Sequence, residues 1–155
     1  FEHIGPKNYK SFFQLMEQQL HEEGLFLLHT IGNNETVAAA DRWFNKYIFP
    51  NGSLPSMLQL SQALESVFVM EDWHNFGADY APTLRAWHGR LAANREWIVG
   101  RYGERFYRMW AFYLLSCAGA FAARSYQNWQ VVFAKRGIPG GFHAARPLAS
   151  QSRTN

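Results

Sequence analysis

A continuous apolar run at residues 25–31 constrains the fold of this chain more than any other feature. The run reads Leu-Phe-Leu-Leu-His-Thr-Ile, and it follows a helical pattern that ends at a glycine-containing turn. A strand buried on both faces has this composition, as in a parallel sheet covered by helices on both sides. A helix, a glycine turn and such a strand make half of an α/β repeat. The sequence therefore predicts an α/β fold with a parallel sheet.

The remaining elements follow from the spacing of apolar residues. Three- and four-residue spacing predicts helices over residues 6–20, 41–49, 55–64 and 82–99, and from 103 onward. Two further strands are predicted at 67–70 and 129–133. Three strands are too few for an α/β layer of this size, so we expect the missing strands to precede residue 1. We expect residues 1–137 to form the C-terminal portion of one domain and 138–155 to be a flexible tail.

The basic side chains are concentrated in the second half of the chain. Residues 1–77 carry 4 basic and 9 acidic side chains, whereas residues 78–155 carry 11 and 3. This excess indicates either a solvated helical face or a surface for an anionic partner. No nucleic-acid-binding motif accompanies it, so a lipid surface is favoured over nucleic acid. The lone Cys117 excludes an internal disulfide and fits a reducing, cytoplasmic setting.

Polar side chains stand at the predicted strand ends. Glu2 lies where a strand before the first helix would end, His29 ends the next strand, and Tyr80 follows the third apolar segment. Ligands bind at the carboxyl ends of strands in open parallel sheets, so we expect these three groups to share one rim. Each also has a plainer explanation: Glu2 could cap a helix, His29 could be a hydrogen-bonded core histidine, and Tyr80 could simply pack. No metal-ligand spacing, nucleophile turn or phosphate-binding loop is present in the sequence.

Seven short sequence strings along the chain resemble those of a known protein family. They are FEHIG at 1–5, LLHTIG at 27–32, KYIFP at 46–50, EDWHNFG at 71–77, RMW at 108–110, CAGAF at 117–121 and WQVVF at 129–133. Together and in this order, they closely resemble the C-terminal part of cyclopropane-fatty-acyl-phospholipid synthases, relatives of the mycolic acid cyclopropane synthases. The resemblance extends over residues 1–137.

The resemblance implies a Rossmann-like methyltransferase fold that uses S-adenosylmethionine, with most of the cofactor site in an N-terminal half that this chain lacks. Such enzymes add a methylene across the cis double bond of an unsaturated phospholipid acyl chain and form a cyclopropane ring. It further implies a cytoplasmic protein, peripheral at the inner face of the cell membrane, that can form a homodimer. We expect this chain alone to be inactive.

The resemblance also gives the polar residues roles. It implies that Glu2, His29, Tyr80 and the backbone N–H of Ile31 bind a bicarbonate ion that serves as the base, and it marks Cys117 as a catalytic residue. The spacing of Cys117 places it on the apolar face of a helix, where a thiol is ordinarily inert packing. A carbocation intermediate would be stabilised by aromatic rings, for which Tyr47, Phe49 and Trp73 are candidates.

Two alternatives stay open at this point. The first is a sister methyltransferase that shares the carbocation but ends with a methyl-branched or hydroxylated acyl chain. The second is a truncated protein without catalysis that binds lipid surfaces.

Overall fold

The computed structural model describes residues 1–37 and 41–146. A single 3-10 turn, Pro6–Asn8, leads into the first helix. The elements in chain order are α1 Tyr9–Gln19, β1 Leu25–Asn33, α2 Arg42–Tyr47, α3 Met57–Leu64, β2 Val69–Asn75, α4 Gly77–Ala93, α5 Arg95–Tyr102, α6 Glu104–Ala122 and β3 Tyr126–Ala134. The α/β class and most of the predicted elements are confirmed.

The direction of the last strand differs from the prediction. The sheet has the order β1-β3-β2, and β3 is antiparallel to both of its neighbours. Leu25 pairs with Ala134 at one end of β1, and Asn33 pairs with Tyr126 at the other. The strands β1 and β2 do run in the same direction, but β3 separates them, so the prediction of neighbouring parallel strands was wrong. An apolar run reports burial and carries no information on strand direction.

One face of the sheet packs on α1 and α3. Phe133 and Trp129 of β3 are buried there beside Phe13 of α1 and Leu60 of α3. Gly32 of β1 lies directly beneath the indole ring of Trp129, where any Cβ atom would overlap the ring. This face forms the first core.

The opposite face packs on α4 and α6, and it forms a second core. Its fully buried members include Leu84 of α4 and Phe121 of α6, against which Ile31 of β1 and Tyr126 of β3 pack. The first core holds the sheet together, and the second core holds the two long helices next to the end of β1.

The helix predicted over 82–99 is two helices. The first, α4, begins five residues earlier, because the Asn75 side chain accepts a hydrogen bond from the Gly77 N–H at 3.0 Å and starts the helix there. Pro82 is accommodated inside α4. The chain breaks at Asn94, where α5 begins with no side-chain cap.

The segment 67–70, predicted as a strand, is also placed differently. Val67 and Phe68 belong to the turn after α3 and pack against the first core. The strand β2 instead starts at Val69 and includes the polar residues up to Asn75. Pairing with β3 continues through this polar stretch, with an irregularity between Met70 and Asp72.

Residues 138–146 form no helix or strand and lie against β2. The Glu71 carboxylate accepts hydrogen bonds from the backbone N–H groups of Ile138 and Phe142, at 2.6 and 3.2 Å. Arg146 donates to both oxygens of Asp72. The rest of the predicted tail, residues 147–155, lies outside the described residues, so its flexibility stays a prediction.

Candidate active site

A cavity of about 570 Å³ lies between the end of β1, the loop that carries Glu2, and helices α2, α4 and α6. Most of its wall is apolar or aromatic, and its polar groups are few. Aromatic rings in the lining come from four elements and the loop after α2: Phe44, Phe49, Tyr80, Tyr113, Phe121 and Tyr126. A mostly apolar cavity with a few convergent polar groups is the usual form of a site for a small molecule or an acyl chain.

Glu2 is held at this cavity by backbone hydrogen bonds. Its carbonyl oxygen accepts from the Ser53 N–H at 2.8 Å, and its carboxylate Oε1 accepts from the Ile31 N–H at 2.7 Å. Burial acts to raise the pKa of Glu2, but the hydrogen bonds from the Ile31 and Glu2 N–H groups outweigh it. The Thr30 hydroxyl adds to this, so the pKa of Glu2 lies below its ordinary value. The carboxylate is therefore ionised at neutral pH.

Tyr80 lines the same cavity from α4. Its ring lies 4.9 Å from the ring of Phe121 and 6.0 Å from that of Trp87, measured between centroids. Burial raises the pKa of the Tyr80 phenol, and the negative charge of Glu2 raises it further. The hydroxyl stays protonated and can donate a hydrogen bond.

His29 lies on the same face of β1 as Ile31 but does not line the cavity. Its side chain is exposed, its Nε2 is 2.9 Å from the Asn128 Oδ1, and its ring lies 5.6 Å from that of Phe76. The expected meeting of Glu2, His29 and Tyr80 at one rim is therefore seen for Glu2 and Tyr80 only. The role of His29 stays a prediction.

Cys117 lies in the cavity wall on α6, with 8% of its surface exposed. Burial raises the pKa of its thiol to about 12. A thiol with this pKa is neutral across the physiological range and is a poor nucleophile. Cys117 therefore lies on the apolar face of α6, as its spacing in the sequence predicts.

We expect Cys117 to react very slowly with thiol reagents. At pH 8 a pKa of about 12 leaves about 2,000-fold less thiolate than the ordinary pKa of about 8.5 does. Labelling of the folded full-length protein with iodoacetamide, followed by peptide mass spectrometry of residue 117, measures this rate. The same protein unfolded in denaturant is the control, and equal labelling rates in the two states would contradict the expectation.

The aromatic wall contains residues that the sequence reasoning did not single out. Tyr113 stands four residues before Cys117 and Phe121 four residues after it, so all three share one face of α6. The spacing in the sequence predicts this apolar face of α6, but it does not predict which helix packs against it. Of the three proposed cation-stabilising rings, Phe49 lines the cavity. Tyr47 is outside the lining, and Trp73 packs on Trp129 in the first core, at 5.0 Å between ring centroids.

The charge of the cavity suits a cation. Glu2 and Asp41 are acidic lining residues, and no Lys or Arg occurs in the lining among the described residues. The Asp41 carboxylate is already engaged, because it accepts from the N–H groups of Trp43 and Phe44 at the start of α2. On these grounds this end of the cavity favours a positively charged group over an anion.

Within residues 1–37 and 41–146, no three His, Cys, Asp or Glu side chains are grouped as metal ligands. None of the helices in these ranges is long and apolar enough to cross a membrane.

Comparison with known proteins gives consistent matches. A sequence profile of the family described as "Mycolic acid cyclopropane synthetase" matches residues 1–131. Cyclopropane-fatty-acyl-phospholipid synthase of Escherichia coli (strain K12) is 56% identical over 146 residues, which cover 94% of this chain and 38% of that protein. Sphingolipid C9-methyltransferase of Komagataella phaffii is 29% identical over 140 residues, 86% of this chain and 29% of that protein.

A solved structure matches over a similar range. Mycolic acid cyclopropane synthase CmaA1 complexed with SAH and CTAB superposes with a TM-score of 0.78 at 26% identity, covering 86% of this chain and 52% of the other. The chain thus spans 38% of the length of its Escherichia coli relative and about half of the solved structure.

Proposed function

This chain belongs to the mycolic acid cyclopropane synthetase family, and we propose that it forms part of an enzyme that modifies the cis double bond of unsaturated phospholipid acyl chains. The reaction is transfer of a methyl group from S-adenosylmethionine, followed by closure of a cyclopropane ring. The observation that carries this proposal is the apolar, aromatic cavity that ends at Glu2. Support also comes from the similarity to the cyclopropane-fatty-acyl-phospholipid synthase of Escherichia coli.

The cavity meets the main physical demands of this reaction. An alkene is a weak nucleophile, so methyl transfer needs close alignment and the exclusion of water. The rings of Phe44, Phe49 and Tyr113 provide an apolar wall for an acyl chain. These faces also stabilise a carbocation without attacking it. Cys117, buried and neutral in the same wall, acts as packing in this scheme.

S-adenosylmethionine supplies an electrophilic methyl group when bound. The ionised carboxylate of Glu2 stabilises positive charge at the polar end of the cavity. A proton must then leave the added methyl before the ring closes. The carboxylate of Glu2 is a negative group that can attract this proton. Tyr80 keeps its hydroxyl protonated, so it can donate a hydrogen bond to a polar group bound in the cavity.

Bicarbonate, held by Glu2, His29, Tyr80 and the Ile31 N–H, is the base that the family resemblance implies. In the described structure the Ile31 N–H donates to Glu2 itself, and His29 lies outside the cavity lining. These groups do not surround one anion here, and we derive no step through it.

The main alternative is methyl transfer that ends in a methyl branch. It shares the donor, the alkene and the carbocation, and only the last proton step differs. The match to a sphingolipid C9-methyltransferase over 86% of this chain favours keeping it. A protein without catalysis that binds lipid surfaces is the remaining alternative.

We further propose that the protein is cytoplasmic, acts at the inner membrane surface and forms a homodimer. The excess of 11 basic over 3 acidic side chains in residues 78–155 supports attraction to anionic lipid. Salt-sensitive sedimentation with anionic vesicles tests the membrane part, and analytical ultracentrifugation tests the dimer.

Lipid mass spectrometry tests the proposed function. We expect cells that make the full-length protein to gain acyl chains heavier by one CH₂ that no longer react as alkenes. Retention of the double bond in the heavier chains would favour the branched product, and unchanged lipids would contradict both enzymes. Cells that make the protein without residues 1–155 serve as the control.

A further inference from the structure

A groove of about 450 Å³ lies between helices α4, α5 and α6, and it shares no lining residue with the candidate active site. Most of its lining is apolar, and three of the lining residues are tryptophans. The indole of Trp97 is 64% exposed, and within the described structure no residue of α5 is buried. The groove is therefore an apolar surface that faces solvent. Its lining residues are Trp87, Arg90, Leu91, Asn94, Trp97, Ile98, Trp110 and Leu114.

Two pairs of aromatic rings connect this groove to the wall of the active-site cavity. On α4, the ring of Trp87 lies 6.0 Å from the ring of Tyr80, which lines the cavity. On α6, the ring of Trp110 lies 5.4 Å from the ring of Tyr113, which lines the cavity as well. The groove therefore adjoins the cavity through the two helices that they share.

Arginine side chains lie in and beside the groove. Arg90 belongs to its lining. The Arg101 Nε donates to the Tyr102 hydroxyl at 3.3 Å, and the Tyr102 ring lies 6.1 Å from that of Trp97. Arg90 and Arg101 take part in none of the ion pairs found in the described part of the chain. Residues 85–108 carry six Arg and two acidic side chains, so this part of the surface is positively charged.

Exposed tryptophan and arginine side chains together match the surface of an anionic bilayer. Indole rings prefer the level of the lipid headgroups, where their apolar faces leave water and their N–H groups stay hydrated. Arginine side chains extend along an apolar surface and keep their guanidinium groups at its polar edge, where they pair with lipid phosphates. An anionic bilayer offers the apolar layer and the negative charge side by side, so it complements both parts of this surface.

We propose that the protein docks on an anionic phospholipid bilayer through this groove, with Trp97 inserted among the headgroups and Arg90 and Arg101 on lipid phosphates. Docking in this way brings the adjoining cavity next to the membrane, so an acyl chain enters it with little exposure to water. This assignment rests on the proposed function, which takes its acyl chains from phospholipid. It adds to that function the face of the protein that meets the membrane.

Sedimentation of the full-length protein with vesicles tests the apolar part of the surface. The probe is vesicles of equal parts phosphatidylglycerol and phosphatidylcholine. We expect Trp97→Ala to weaken partitioning about tenfold and the loss to persist at high salt, because salt does not screen apolar burial. Leu15→Ala is the control, since Leu15 is a half-exposed apolar residue of α1, on the opposite face of the sheet. Its partitioning should equal that of the wild type.

The double variant Arg90→Met/Arg101→Met tests the charged part with the same vesicles. Methionine keeps an apolar stem and removes the cation. We expect partitioning at low salt to weaken by about fivefold for each cation removed, and the difference from the wild type to vanish at high salt or on pure phosphatidylcholine. Lys7→Met/Lys10→Met removes two exposed cations next to and within α1 and is the control. Its partitioning should stay within about twofold of the wild type.

Equal partitioning of the groove variants and the wild type would overturn this assignment. If Trp97→Ala leaves vesicle binding unchanged but turns a dimer into monomers in analytical ultracentrifugation, a second copy covers the groove. If it leaves binding unchanged but lowers the thermal unfolding midpoint, another part of the same protein covers it. Either result also overturns the assignment.

Partitioning needs no turnover, so these measurements separate the docking surface from the proposed function. Docking that depends on Trp97 and the two arginines, in a protein that modifies no lipid, would support the surface and contradict the proposed function. Lipid modification by a protein whose vesicle binding does not depend on them would support the function and overturn the surface.

Discussion

Glu2→Gln in the full-length protein is expected to lower turnover on unsaturated phospholipid by at least about 100-fold, the usual contribution of a group that assists proton transfer. The amide oxygen can still accept the 2.7 Å hydrogen bond from the Ile31 N–H, so the loop keeps its place. What disappears is the negative charge beside the cavity. The measurement is the initial rate of product formation on vesicles, with thermal unfolding as the check that the variant is folded.

Glu23→Gln is the matched control. Glu23 is exposed in the turn before β1, so the substitution removes the same charge at a position far from the cavity. Its turnover should equal that of the wild type. Turnover of Glu2→Gln within about threefold of the wild type would refute the role of this carboxylate. Assays in buffer depleted of bicarbonate add a second test: a wild-type rate that falls and recovers on readdition indicates that the ion is the base, whereas an unaffected rate leaves Glu2 to act directly.

Gly32→Ala is expected to have the largest effect on stability. A Cβ atom at this position would lie 2.0 Å from the Trp129 Cζ3, well inside contact distance. Trp129 is 1% exposed and packs edge-on against Trp73, so the ring has no free space into which to move. Overpacking of this kind costs about 3 kcal/mol. We expect a lower thermal unfolding midpoint and a lower yield of soluble full-length protein.

Gly89→Ala provides the control for this substitution. A Cβ atom at Gly89, inside α4, would meet nothing within 4 Å. Alanine is favoured over glycine inside a helix, so the control should stabilise the protein by about 0.5–1 kcal/mol. If the thermal unfolding midpoint of Gly32→Ala lies within about 1 °C of the wild type, the sheet adjusts to the added methyl at a smaller cost than the short contact implies.

Local pattern was sufficient to predict much of the fold. The stripes of α1 and α6 and the apolar run of β1 gave these elements within a few residues. The start of α4 was missed because it depends on the Asn75 side chain, which the helical spacing does not include. The direction of β3 was missed because it is set by the path of the chain after α6, and residue types do not record that path.

The candidate site was predictable in part for the same reason. Glu2 and Tyr80 meet at the cavity because the end of β1 and the start of α4 lie near each other. His29 lies on the same face of β1 as Ile31, but it precedes Ile31 by two residues and is outside the cavity lining. Trp73 leaves β2 on the other side and faces the first core with Trp129. A single residue of strand register decides such positions, and spacing along the sequence does not determine it.

The central place of β3 has a consequence for the order in which this chain folds during synthesis. The strands β1 and β2 make no backbone pairs with each other, since each is bonded only to β3 within the described sheet. Among the described elements, β3 at residues 126–134 leaves the ribosome after β1 and β2. Until then both earlier strands keep exposed edges, and the nascent chain depends on chaperones or on other parts of the protein to protect them.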